Sequence, residues 1–136
     1  MPVSPIRRRR AIRIYRELGG TAHALANNPS ALTEALLDAL NHHLCAARRA
    51  IIQGSGAARS SPLARASMII AGLYRSLDMR QAPEAAKRLA SLYRHLLARI
   101  NRINRKNGDA VLAELIGLVD TLRSAWTVAE IGRAHV

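Results

Sequence analysis

The stretch "NPSALTEALLDALNHHLCAARRAII", residues 28–52, decides the fold class. Asn28-Pro29 places a side-chain capper before a proline at the first helical position, where its missing N–H costs nothing. Leu32, Leu36, Leu40, Leu44, Ala47 and Ile51 then recur three or four residues apart and line one side of a helix. The spacing predicts a helix near 29–53, ended by Gly54-Ser55-Gly56.

The same grammar divides the rest of the chain. Ser61-Pro62 and Ala82-Pro83-Glu84 open two more helices, near 62–78 and 83–106, and Asn107-Gly108-Asp109 stops one and starts another near 109–128. Ala66, Ile69 or Ile70, Leu73 and Leu77 make the second apolar stripe. Leu89, Leu92, Leu96, Ile100 and Ile103 make the third, and Val111, Leu115, Leu118, Leu122 and Trp126 the fourth. A shorter helix near 6–18 precedes them. Short loops between long helices make neighbours antiparallel. The expectation is an all-α, antiparallel up-down four-helix bundle with a short N-terminal capping helix, a single domain over 1–129 whose residues 1–20 form a basic cap segment.

Composition agrees. The chain has 136 residues, 49% of them hydrophobic, no Phe and 3% aromatics, which favours helix on helix over sheet. One cysteine, Cys45, forms no internal disulfide and fits a reducing cytosol. No apolar run nears the ~20 residues that span a bilayer, and the "RRRR" of Arg7 to Arg10 is not followed by the apolar core of a signal peptide, so no membrane insertion is expected.

The last seven residues, "EIGRAHV" (130–136), back-translate as GAG-ATC-GGA-AGA-GCA-CAC-GTC, the opening of a widely used sequencing-library adapter whose next in-frame triplet is a stop. They read as a scar rather than native chain and show no apolar periodicity. Arg133 and His135 are therefore set aside as site candidates.

Chemistry is sparse. His42 and His43 are adjacent, about 100° apart around a helix, and cannot chelate one metal as an i, i+4 pair does. The few carboxylates are scattered, and no phosphate loop or nucleophile elbow is present. No catalytic residue, metal or cofactor is expected.

The net charge is +12, of which six Arg and one Glu place +5 in residues 1–20. Arg88, His95, Arg99, Arg102 and Lys106 would form a basic stripe along the third long helix. Such a stripe can neutralise phosphates. No aromatics are interleaved with it and no helix-turn-helix accompanies it, so a solvated face that keeps an apolar-rich protein in solution is the better reading. The apolar faces are wider than one seam needs, with Leu37 on the first long helix and Leu112, Ile116 and Val119 on the last; the extra width is core or the wall of a groove for a partner's helix.

Five pieces, "IRIY" (12–15), "NPSALTEALLDAL" (28–40), "GLYRSLDM" (72–79), "LASLYRHL" (89–96) and "LIGLVDTLRSAW" (115–126), stand in an order and at separations that resemble the flagellar secretion chaperone FliS family. That resemblance implies a cytosolic bacterial helical bundle that binds the disordered C-terminal segment of flagellin in apolar grooves, prevents premature polymerisation and hands it to the flagellar type III export gate. It also implies that Ile12 and Tyr15 serve the N-terminal cap and gate contact. Leu36, Leu37, Leu40, Ile116 and Val119 are candidate groove walls; Asp38, Tyr93 and Trp126 match family positions and could equally orient helices. A homodimer is one expectation for the unloaded state. The chain departs from the family's pattern at Leu37 (an aromatic), Ala39 (Gly) and Arg94-His95 (an acidic-aromatic pair). A basic nucleic-acid-binding protein and a helical interaction module for another secreted substrate are the competing readings.

Overall fold

In the computed structural model, residues 29–124 and 134–135 are described. Among them lie four α-helices and no strand: α1 (Pro29–Ile52), α2 (Ser60–Arg75), α3 (Pro83–Ile100) and α4 (Gly108–Ser124), with a 3-10 turn, Gly56–Arg59, between α1 and α2. The expected N-terminal capping helix, with Ile12 and Tyr15, falls outside the described residues, as does Trp126.

The stripe of α1 is buried as its spacing requires: Leu32, Leu36, Leu40, Leu44 and Ala47 all face the core. Gly54 ends the helix with φ 75°, a left-handed conformation that costs a side-chain-bearing residue but not glycine. There the N–H of Gly54 donates to the Ile51 carbonyl at 3.1 Å and that of Ser55 to the Ala50 carbonyl at 2.8 Å. Ala66, Ile69, Ile70 and Leu73 of α2, Leu89, Tyr93 and Leu96 of α3, and Val111, Leu112, Leu115 and Val119 of α4 complete one continuous core. α1 is its centre, packed on α2 and on α4; α2 also packs on α3, and α3 touches α4 least.

Two helices stop earlier than their apolar spacing predicts. α3 ends at Ile100, not near 106, because asparagine side chains offer the backbone other partners. The Asn104 carboxamide oxygen accepts from the N–H of Lys106 at 2.9 Å and of Asn107 at 3.0 Å. The Asn107 carboxamide accepts from the Asn104 N–H at 2.8 Å and donates to the Arg102 carbonyl at 3.1 Å. Arg102 and Lys106 therefore belong to a turn, and the basic stripe on α3 shortens to Arg88, His95 and Arg99.

α2 ends at Arg75 rather than near 78. Ser76 Oγ donates to the Leu73 carbonyl at 2.8 Å, and the next two residues turn towards the chain's far end. Leu77 forms an isolated antiparallel bridge with His135, and the Asp78 N–H donates to the Ala134 carbonyl at 2.8 Å. Ala134 and His135 are buried, although residues 130–136 carry no periodic pattern that predicts a place in the fold. Beside these backbone contacts, the His135 ring meets the buried Tyr93 hydroxyl, with Oη and Nε2 2.7 Å apart.

Candidate functional site

The candidate groove residues lie on α1 and α4, two helices that pack on each other. Leu36, Leu37, Leu40 and Val119 are 2%, 1%, 0% and 0% exposed, so these four are core of the closed molecule; Ile116 is half-buried. Leu37 lies one position off the main stripe of α1 and is covered nonetheless, because α4 packs against that flank.

Ion pairs clasp the seam at two points. Arg48 Nε of late α1 lies 2.7 Å from Asp109 Oδ1 of early α4, and Arg123 Nη2 of late α4 lies 2.7 Å from Asp38 Oδ1 of α1. The crossed order of these contacts means that α1 and α4 run antiparallel. Arg123 also reaches Asp120 Oδ1, one turn back, at 3.2 Å. Asp38 is thus ion-paired with Arg123 of α4, a partner that matching to the family did not single out. A signal was available: in a chain with 21 basic and nine acidic residues, each carboxylate has cationic neighbours to choose from. Beside this clasp opens a cleft of about 540 Å³ lined by Glu34, Leu37, Asp38, Asp120, Arg123 and Ser124. Leu37, a core side chain of α1, borders this opening.

The basic face is partly neutralised from within. Arg99 Nη2 of α3 lies 2.6 Å from Glu114 Oε2 of α4, and His95 Nε2 lies 3.7 Å from the other oxygen. The hydrogen bond from Arg99 holds the Glu114 carboxyl below its ordinary pKa, with the charges of Arg99 and His95 acting in the same direction. Two of the five residues of the basic stripe thereby face a carboxylate of α4.

Large apolar side chains are exposed elsewhere: Met68 and Tyr74 on α2, Met79 in the turn after it, and Ile52 at the end of α1. Arg94 lies over the Tyr74 ring, 5.8 Å from its centroid, and donates to its hydroxyl at 3.2 Å. Tyr93, its neighbour in sequence, is buried and has its hydroxyl pKa pushed up by that burial. The adjacent rings of His42 and His43 meet edge to face, 5.3 Å between centroids. His43 titrates below the ordinary imidazole value, chiefly because it is partly buried and then because His42 and Arg65 are cationic neighbours. Among the described residues no three His, Cys, Asp or Glu side chains gather as a metal site, and no helix is long and apolar enough to cross a membrane.

This helical scaffold, with an α1 rich in Leu and a Leu-Tyr pair on α3, has relatives. The family profile of the flagellar protein FliS matches residues 11–133, nearly the whole chain. The chain belongs to the FliS family. The FliS flagellar secretion chaperone of Salmonella typhimurium strain LT2 is 30% identical over 116 residues, covering 85% of this chain and 86% of that protein. The FliS chaperone of Vibrio cholerae is 25% identical over 134 residues, 91% of this chain and 98% of its own length. A Pseudomonas aeruginosa flagellar secretion chaperone, FliSB, is 27% identical over 117 residues, 86% of this chain and 93% of its own. FliS is a family of chaperones and not of enzymes. The match to the FliS profile ends at 133, short of the buried Ala134 and His135.

Proposed function

We propose that this FliS protein is a cytosolic export chaperone that captures the disordered C-terminal segment of flagellin, keeps it from polymerising, and presents it to the flagellar export gate. The observation that carries the reading is the family match across residues 11–133 on an all-helical scaffold. The relatives are named for flagellar secretion, and the segment a secretion chaperone must shield is one whose apolar face later packs in a filament. Burial of that face on the chaperone offsets the ordering entropy of the segment, a few kcal/mol. The whole molecule is then an antiparallel up-down bundle with its arginine-rich N-terminal segment as a capping helix. Ile12 and Tyr15 make the cap and gate contact.

The half-buried apolar residues that border the core, Leu118, Leu122 and Ile116 on α4 and Leu92 and Leu97 on α3, support grooves that a helical segment enters without unfolding the bundle. Leu36, Leu37, Leu40 and Val119 then act from beneath as the floor, and Asp38 and Tyr93 hold helices in place. Trp126 is a helix-orienting residue of the same kind. Unloaded, two copies share these apolar surfaces as a homodimer.

Titration calorimetry of the chain with a peptide of the source organism's flagellin C-terminus tests the reading. The expected result is one-to-one binding with a negative heat-capacity change that persists in high salt. A folded protein that gives no heat with the peptide overturns it. Tyr15→Ala should leave helical content and peptide binding intact while export in cells falls.

A further inference from the structure

We propose that the small cleft where the α1–α2 connection meets the α3–α4 turn binds a phosphate-class oxyanion. The cleft holds about 250 Å³ and is lined by Ile51, Gly54, Gly56, Arg59 and Arg105. Two of its five lining residues are arginines and none is acidic. Arg59 Nη1 is buried and has no hydrogen-bond partner. A buried guanidinium N–H without an acceptor is costly, and such groups are rare unless something supplies one. Arg105 comes from the other side: its Nε and Nη2 lie 3.5 Å from where a Cβ on Gly56 would stand, so the guanidinium rests on the glycine turn.

Among the described residues no carboxylate lines the cleft. The carboxylate nearest in sequence to Arg105, Asp109, is taken by Arg48 at 2.7 Å. The turn that carries Arg105 adds Arg102 and Lys106, both exposed. Two arginines lining one cleft bring like charges together, and a bound anion replaces that repulsion by charge-assisted hydrogen bonds. Phosphate fits better than a carboxylate, since a group of charge near −2 neutralises both arginines and its tetrahedral oxygens serve donors from two sides. Such an anion would tie the 3-10 turn to the α3–α4 turn. The cleft sits at the C-terminal end of α1, on the order of 20 Å along the helix from Asp38, so this site is independent of the flagellin reading.

The test is a titration of the full chain with inorganic phosphate, and in a second arm with acetate, at matched ionic strength. It is followed by amide NMR shifts of Gly54 and Gly56 and by the thermal midpoint. Saturable phosphate-dependent shifts are expected, weakened about tenfold or more in Arg105→Gln and in Arg59→Gln. Arg105 is exposed, so its variant keeps the fold and the test stands even where Arg59→Gln does not fold. Phosphate also stabilises proteins through exclusion from their surfaces, and an equal midpoint rise in wild type and variants with no saturable shift overturns the site. Equal binding of acetate overturns the phosphate class. Flagellin-peptide binding by Arg105→Gln should remain at the wild-type level.

Discussion

Replacing Leu40 by alanine separates core from groove wall more sharply than any other single change. Leu40 is 0% exposed, in the middle of α1 and within the continuous core. The substitution removes three carbons, a transfer loss of about 2.4 kcal/mol at about 0.8 kcal/mol per buried methylene. The cavity left behind adds to it, since neighbours on α2 and α4 are themselves held by packing, and the total comes to about 3 kcal/mol. For a chain of this size that lowers the thermal midpoint by roughly 10 °C. Ile116→Ala, at a half-buried position on α4, should cost about 1 kcal/mol and weaken peptide binding instead. Urea denaturation followed by far-ultraviolet circular dichroism, with the flagellin-peptide titration run on both variants, gives the two numbers. If Leu40→Ala loses less than about 1 kcal/mol, α1 is not covered there and Leu40 lines an open groove.

Three further outcomes follow from the contacts. Asp38→Asn removes the partner of Arg123 across the seam; both side chains are partly exposed, so the loss should be at most about 1 kcal/mol and should vanish in 1 M salt, as read by urea midpoints at two ionic strengths. His43 titrates below its unfolded value of 6.5 in the folded chain, so the unfolded state takes up the proton first: stability should fall as the pH drops through 6.5, and His43→Gln should flatten that part of the profile of midpoint against pH. Tyr93→Phe should cost about 1 kcal/mol in the full chain, where the hydroxyl meets His135, and less in a chain cut after Ala129; equal costs in the two chains would show that the hydroxyl finds another partner when the tail is gone.

Much of the architecture is visible in local chemistry. Proline at the start of α1 and of α3, glycine after α1, and leucines recurring at helical spacing are statements about one turn of chain, and helix starts and buried stripes follow from them without knowledge of any neighbour. Of the family phrases, those at 28–40, 72–79, 89–96 and 115–126 fall wholly or in part on these helices where the chain is described, which is why the family was legible before the fold. Asn104 and Asn107 were visible too, but their effect depends on two carboxamides trading backbone bonds across a turn, which periodicity in the flanking leucines and isoleucines conceals.

Tertiary structure alone decided the rest. Stripe counting gives the angle at which Leu37, Ile116 and Val119 leave their helices, and whether such a side chain becomes core or groove depends on how closely the next helix approaches. Val119 is covered and Ile116 only half so, three residues apart on one helix. Which of the many arginines takes each scarce carboxylate is likewise a matter of distance in space: Arg123 pairs with Asp38 across 85 positions of sequence, whereas Arg59 Nη1 has no hydrogen-bond partner among the described residues. The burial of His135 against Tyr93 follows no pattern at all, since a hydroxyl inside a helical core takes whichever acceptor or donor the folded chain brings within reach.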